Sequence, residues 1–431
     1  MLKNKQKLSM LLSVLLTITA ILSTFVLHSQ ADTGDKKPGI VNINWNGTFT
    51  EVTMDFRDST HKEMWSLYIE KLLKVFPNLE ADYDAWFVRS MDRKTYSDRL
   101  HKLQYLKPQV PKEYQDEIEG MASNFSGGTD NIRGDGKLSI DELYYINLYI
   151  DIIMTGGCSV ISVFGPSSVT GRNMVVRLAD WYPRTDNAVF IIRNGDKSIV
   201  NIGRLLRSIT AGTAFNDEGV FAALLASETS LSADFESKSY SSVMIDIRYA
   251  LENFSTLEEI AKYLSSREYT FSHQVFLADS KTGKVLENKL NDGGIRALRG
   301  ASSKLGENID WEFDNAVAAV NTFFLEENYR KGGIDPRWTN IRHELACKLR
   351  KSEHGEVGKV TLNELKEIAT FYNRGVGGDY PGSTIGDIYN SMTQHIVLFE
   401  PGTFHLEVFF RNGSSSPIRN PSFTTVPVTL P

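Results

Sequence analysis

Cysteine is nearly absent from this chain. Two occur among 431 residues, Cys158 and Cys347, and neither lies between Asp32 and Gly157. One disulfide, Cys158 to Cys347, is therefore the only pairing open to a chain of this composition. No cysteine follows the N-terminal apolar run either, so the sequence offers no lipid-anchor attachment there. An excess of either charge sign is lacking too. Lys and Arg number 47 against 53 Asp and Glu, a net charge of -6, which speaks against a general nucleic-acid-binding surface. Internal repeats and low-complexity blocks are missing, and no second apolar run is long enough to span a bilayer.

What is present begins with an export pattern. Met1 to Lys7 is basic, Leu8 to Leu27 is uncharged and mostly apolar, and Ser29-Gln30-Ala31 supplies small residues for cleavage. Residues 1–31 are read as a signal peptide, with the mature chain starting near Asp32 in a secreted, periplasmic or lysosome-like compartment. An uncleaved anchor is the alternative, since about 20 apolar residues suffice to cross a membrane. Sequons at Asn46, Asn124, Asn253 and Asn412 matter only in a eukaryotic secretory pathway.

Hydrophobic spacing gives a coarse map. A strand is expected over 40–45 and a helix over 62–76 that Pro77 stops, followed by a mixed polar stretch to about Pro111. A helix from Pro111 to Met121 precedes the loop 123–136. Ser139 and Glu142 have capping-box spacing at the head of a helix that runs towards Gly156-Gly157-Cys158. From there the texture is strands and turns: CSVISVFG, NMVVRLAD, AVFIIRNG, SIVNIG and GVFAALLAS. An amphipathic helical region covers 243–265, three strands follow (HQVFLADS, GKVLEN, NAVAAVNTFF), and helices are expected at 342–350 and 361–372. QHIVLFEPGTFHLEVFF reads as a closing hairpin that turns at Pro401-Gly402. Strands before and after helices point to an α+β architecture.

NIRGDGKLSIDE places Asp135, Gly136, Ser139 and Glu142 at EF-hand loop positions five, six, nine and twelve. Its first position is a weak ligand, Asn131, and its third is a cation, Arg133. A turn feeding a capped helix accounts for the same residues, and no metal is expected.

Three readings compete for Cys158. It can be a small core hydrophobe on a buried strand. It can be a nucleophile with a histidine partner, although it opens a strand and none of the eight histidines stands in a telling context. It can also be an N-terminal nucleophile released by self-cleavage of the Gly157-Cys158 bond. Its own α-amine, with a pKa of about 7.7 to 8.0, then serves as general base. A glycine before the nucleophile lets the scissile peptide adopt a strained geometry.

TGGCSVISVFG, the turn Thr170-Gly171-Arg172-Asn173 and the strand ending Arg177-Leu178-Ala179-Asp180-Trp181 together resemble the start of the β-subunit in acid ceramidase, N-acylethanolamine acid amidase and the isopenicillin N acyltransferases. The pattern is similar also to choloylglycine hydrolases, which open with Cys and carry Arg-x-x-Asp on the next strand. Upstream, YQDEIEGMASNF and LSIDELYYINLYIDI resemble the helices of the family's α-subunit. Downstream, GTAFNDEGVFAALLAS, AVAAVNTFF, DPRWTNIRHELACKL and the closing hairpin resemble further family segments in the same order. Ser159-Val160 replaces the family's Thr-Ser, and Val320-Asn321 lacks the preceding Thr.

The resemblance implies a four-layer αββα sandwich, an α-subunit over 32–157 that is mostly helical and a catalytic β-subunit over 158–431. It implies hydrolysis, or acyl transfer, at a linear amide carbon-nitrogen bond through a thioester, with Cys158 as nucleophile and no cofactor. On this pattern Asp180 accepts from the Cys158 ammonium, while Arg177 lowers the thiol pKa and steadies Asp180. Asn321 supplies an oxyanion donor. Arg337 is the matching site arginine and Arg342 its alternate; a surface ion pair is the plainer reading of each. Asn216 lines the acyl or oxyanion site or is a turn residue before Gly219. Trp181 and Tyr182 wall an acyl pocket or pack a core, and Cys347 is expected to be a free, buried thiol. The expected partners are an N-acyl amide substrate, small or lipid, the two chains of one precursor, and membrane lipid in transient contact. Penicillin- or bile-salt-type amidases and an unprocessed exported binding protein are the alternatives on the same scaffold.

Overall fold

The alternation of side chains along the strands decides how the layers stack. In a computed structural model, which describes residues 36–153, 156–181, 184–227, 233–350, 357–376, 378–413 and 417–430, a nine-stranded and a six-stranded sheet lie face to face. The proposed signal peptide and Tyr182 fall outside the described residues.

The nine-stranded sheet runs β1 (Ile40–Trp45), β2 (Thr50–Asp55), β5 (Asn187–Asn194), β6 (Lys197–Arg204), β7 (Thr213–Asn216), β8 (Phe221–Ala226), β9 (His273–Ala278), β10 (Gly283–Asn288) and β11 (Arg296–Arg299). The six-stranded sheet is ordered β12 (Ala316–Ala319), β3 (Gly157–Val163), β4 (Met174–Asp180), β13 (Thr393–Glu400), β14 (His405–Phe410) and β15 (Thr424–Val426). Pairing is antiparallel except between β2 and β5.

Because neighbouring strand residues point to opposite faces, each strand feeds two cores. Val160, Val175, Val397 and Phe399 meet Val189, Val200, Phe215 and Phe276 between the sheets. Ile161, Val176, Leu178, Ile396 and Leu398 face the other way, onto the helices at 337–350 and 362–369. Phe190, Ile199, Ala222 and Val275 on the nine-stranded sheet turn outward to a second helical layer. The result is the four-layer αββα sandwich. Most strands are buried on both faces, which explains their near-continuous apolar runs.

The outer layer on the nine-stranded sheet holds α1 (His61–Val75), α2 (Leu79–Ser90), α3 (Arg93–Leu106), α4 (Lys112–Ala122), α5 (Ile140–Ile153), α6 (Val243–Asn253) and α7 (Leu257–Ser265). The mixed polar stretch before Pro111, to which the sequence reading assigned no element, is helical. Tyr96, Leu100, Leu103 and Leu106 make a narrow apolar stripe on α3, and Asp92 caps it through the Thr95 amide. That stripe is easy to overlook because the rest of the helix is charged. The region 243–265 divides into two helices where Thr256 and Glu259 build a capping box. On the other side lie α8 (Arg337–Arg350), which starts five residues before the expected helix, and α9 (Leu362–Ala369).

The segment before Cys158 supplies the β1-β2 hairpin as well as helices, and both belong to the compact unit of residues 39–431. The Ser139/Glu142 box heads α5. Glu142 accepts from Tyr96 and the Ser139 amide, while the Gly134 and Gly136 amides donate to Asp84. The calcium-like loop is a helix lead-in tied down by carboxylates.

Candidate active site

Strand register builds the centre. β3 and β4 pair with Cys158 opposite Ala179 and Val160 opposite Arg177, so the Arg177 side chain sits diagonally beside Cys158 on the inter-sheet face. Asp180 is three residues on from Arg177, an odd step, and faces the helical layer instead. The Arg-x-x-Asp spacing therefore divides its two charges between the faces of one strand.

On the inter-sheet face, Arg177 Nη2 donates to Cys158 Sγ at 3.3 Å and to the Leu224 carbonyl at 3.4 Å. Its Nη1 lies 3.0 Å from His395 Nε2, and β13 places His395 opposite Ala179, next to Arg177. Arginine only donates, so Nε2 accepts and the imidazole proton is on Nδ1. Burial, then Arg177 and Arg204, hold His395 well below the usual histidine range, which keeps it neutral. Its Nδ1 is buried with no protein partner among the described residues.

On the helical face, Asp180 Oδ2 accepts from Arg337 Nη1, and Oδ1 accepts from Thr393 Oγ1 at 2.7 Å. Arg337 also donates through Nε and Nη2 to Asp335 and through Nη2 to Asn321 Oδ1. The Cys158 backbone N–H donates to the same Asn321 oxygen at 2.8 Å. Two donors converging on one atom identify it as the amide oxygen, and the Asn321 nitrogen donates to the Ala226 carbonyl.

Burial raises both the Cys158 thiol and the Asp180 carboxyl. Arg177 and Arg337 oppose the shift at Cys158, whereas Arg337, Thr393 and Asn390 oppose it at Asp180. Burial works against the Arg337 charge, and Asp335 and Asp180 more than offset it.

The backbone at the Gly157-Cys158 junction is sterically specified. Gly156 has φ +135°, and a Cβ there would lie 2.7 Å from the Trp181 ring. A cavity of about 110 Å³ opens at Cys158, Arg177 and His395 and is walled by Ile202, Leu224, Met244 and Trp181. Trp181 also meets Tyr149 edge to face, with ring centroids 5.7 Å apart.

Cys158, Arg177, Asp180, Asn321, Arg337 and Trp181 are thus brought together. Other expectations need correction. Arg177 makes no contact with Asp180: its partners, Cys158, the Leu224 carbonyl and His395, lie on the opposite face of β4, so it favours that carboxylate only through its charge, while Arg337 holds it directly. Asn216 is not at the site. Its amide donates to the Leu251 and Phe254 carbonyls and its oxygen accepts from Val220 N, pinning α6 and a turn. Arg342 is held outside by Glu312 and Asp310. Cys347 is free but exposed, 3.8 Å from His343 Nε2, so the two cysteines are not bridged.

Sequence reasoning passed over His395, Asp335 and Thr393. His395 had one available signal, a polar residue directly before the apolar run IVLF at a position whose parity matches the inter-sheet face.

No family model and no curated protein matches the chain. Solved structures similar to it include a Caenorhabditis elegans N-acylethanolamine-hydrolyzing acid amidase ortholog, with 14% identity over 57% of this chain and 93% of that one and a TM-score of 0.39. A mutant conjugated bile acid hydrolase from Clostridium perfringens gives 10% identity over 63% and 97% and a TM-score of 0.37. Penicillin V acylase from Agrobacterium tumefaciens gives 12% identity over 59% and 83% and a TM-score of 0.34.

Proposed function

We propose that this chain is an exported, self-cleaving cysteine amidase that hydrolyses linear amide bonds of N-acyl compounds through a thioester. The observation that carries the reading is the double grip on Cys158: Arg177 donates to its sulfur, and Asn321 accepts from its backbone nitrogen. A structural cysteine needs neither contact. Donors at the sulfur favour thiolate, and an acceptor at the nitrogen suits the ammonium that chain cleavage creates.

In maturation, the Cys158 sulfur attacks the Gly157 carbonyl carbon, the peptide carbon-nitrogen bond breaks and the thiol proton passes to the departing Cys158 nitrogen. Water then hydrolyses the resulting thioester to a Gly157 carboxylate and a free Cys158 thiol. In turnover, the α-amine takes the thiol proton, sulfur attacks the substrate carbonyl, and the protonated amine returns that proton to the leaving nitrogen. Water attacks the acyl-thioester to release the acid. Asn321, Arg337, Asp335 and Asp180 hold the amine in place. An oxyanion-donor role for Asn321 requires its nitrogen to give up the Ala226 carbonyl after cleavage.

Intact-mass and N-terminal analysis of purified protein, incubated at mildly acid and neutral pH beside Cys158→Ala, tests this reading. Two fragments, one starting at Cys158 and missing from the mutant, are expected, followed by amide hydrolysis across an N-acyl panel. A chain that stays whole and inert throughout refutes it.

A further inference from the structure

A second cavity, of about 860 Å³, adjoins the first and shares Tyr149, Trp181, Arg204 and Arg207 with it as a common wall. It lies among α2, α3, α5 and the chain around β5 and β6. Its charges are unequal: Arg89, Arg99, Arg184, Arg204 and Arg207 face two carboxylates, Asp82 and Asp186.

The carboxylates leave much of that cationic charge unanswered. Asp186 is already committed to Arg184, 2.8 Å away, and to Tyr83; despite its burial, Arg184 and Arg204 hold its pKa down to about 2. Asp82 is exposed. Arg204 donates to Gln394 at 2.9 Å. Arg99 is half-buried and donates to the Tyr145 hydroxyl at 2.8 Å. Arg207 is half-buried and stacked on the Tyr149 ring at 3.8 Å. Among the described residues, neither Arg99 nor Arg207 has a carboxylate within salt-bridge distance.

Partly burying a guanidinium without an anion is costly, and its planar fork matches an oxyacid group in two-point contact. Between the cations, aromatic side chains offer a surface for an apolar stem.

We propose that the larger cavity is a subsite for an anionic oxyacid group, a phosphate or a carboxylate, borne by the substrate away from the bond that Cys158 cleaves, with Arg99 and Arg207 as its ligands. This deepens the amidase reading and rests on it for the cleaved bond. The shared wall sets the arrangement: the carbonyl lies at Cys158, and the anion lies beyond Arg207.

The test compares matched amides: N-dodecanoylethanolamine, its phosphate monoester and N-dodecanoyl-β-alanine. Wild-type kcat/KM for one or both anionic amides is expected to exceed that for the neutral amide by ~10-fold or more, and the ratio is expected to fall towards one in Arg207→Gln and Arg99→Gln. Preference for the phosphate alone or the carboxylate alone identifies which anion the subsite takes. Calorimetric binding of the same compounds to Cys158→Ala supplies a readout that needs no turnover. Binding there of an anionic amide, weakened when Arg207→Gln is added, upholds the subsite even if wild type hydrolyses nothing, in which case the amidase reading fails alone. Equal handling of neutral and anionic amides in both assays overturns the subsite.

Discussion

The two faces of β4 carry the same kind of charge to different ends. On the inter-sheet face Arg177 reaches a sulfur and a neutral imidazole, and no carboxylate lies within salt-bridge distance of it among the described residues. On the helical face Arg337 is clasped by Asp180 and Asp335 and reaches the Cys158 nitrogen only through Asn321. A guanidinium left without a counterion can favour a developing thiolate; one saturated by carboxylates fixes positions. One strand therefore puts the direct contact to the sulfur on one face and the hold on the nitrogen on the other, with Arg337 reaching the thiol only through its charge.

The strongest way to break the comparison is to remove what both faces serve. Cys158→Ala is expected to abolish chain cleavage and amide hydrolysis together, read by intact mass and by substrate turnover. Hydrolysis surviving in that variant would mean that neither face is organised around this sulfur.

Arg177→Gln and Arg337→Gln should then divide. With Arg177 gone, the thiol loses the cation that most opposes the effect of its burial, so its pKa rises further and kcat falls by ~10²- to 10³-fold, with the alkaline limb of the rate moved upward. With Arg337 gone, Asp180 and Asp335 are left buried without their cation, and the variant should lose several kcal/mol of stability, read by denaturant unfolding. Identical losses of rate and stability in the two variants would erase the distinction.

His395 sharpens the inter-sheet side. It acts through Arg177, accepting from Nη1 while Nη2 points at the sulfur. His395→Phe removes that acceptor and is expected to lower kcat by ~10-fold while KM changes little. His395→Gln, whose amide oxygen can accept, should recover most of the rate. Because the imidazole is held neutral, the pH profile of His395→Gln should match wild type between pH 5 and 8. A limb near 6.5 that disappears in this variant would show His395 titrating.

Much of the sandwich was legible because strands buried on both faces write themselves as apolar runs: CSVISVFG, MVVRLAD and QHIVLFE became β3, β4 and β13. Short strands such as β7 and β11 carry too few residues for any period to show. Of the site, Cys158 stood out from its Gly-Gly-Cys context, and the resemblance gave Arg177 and Asp180 on the strand that one hairpin folds back beside it. Arg337 and Asn321 came from resemblance, since the approach of Arg337 to Asp180 and of Asn321 to the Cys158 nitrogen are tertiary contacts that no local period encodes. Asn216 misled for a related reason. An Asn before a Gly turn looks the same whether its amide faces a substrate or, as here, two helix-end carbonyls.

Thr393 offers the mildest test, and it concerns the helical face alone. Its hydroxyl donates to Asp180 Oδ1, and with Arg337 it opposes the upward shift that burial imposes on that carboxyl. Thr393→Val keeps the shape and removes the donor, so the Asp180 pKa climbs further. An acid whose folded pKa exceeds its unfolded value of about 3.9 loses stabilisation as pH rises from that value through the folded pKa. The variant should therefore differ least from wild type at the acid end of this window and most at neutral pH, where about 1.5 to 3 kcal/mol is expected for one hydrogen bond to a charged group. The acid limb of amide hydrolysis by the cleaved protein should move to higher pH, because the carboxylate that orients the amine forms later. Thr393→Ser should restore both. If Thr393→Val instead altered the alkaline limb, the hydroxyl would be acting on the sulfur, and the division of β4 into a tuning face and a holding face would fail.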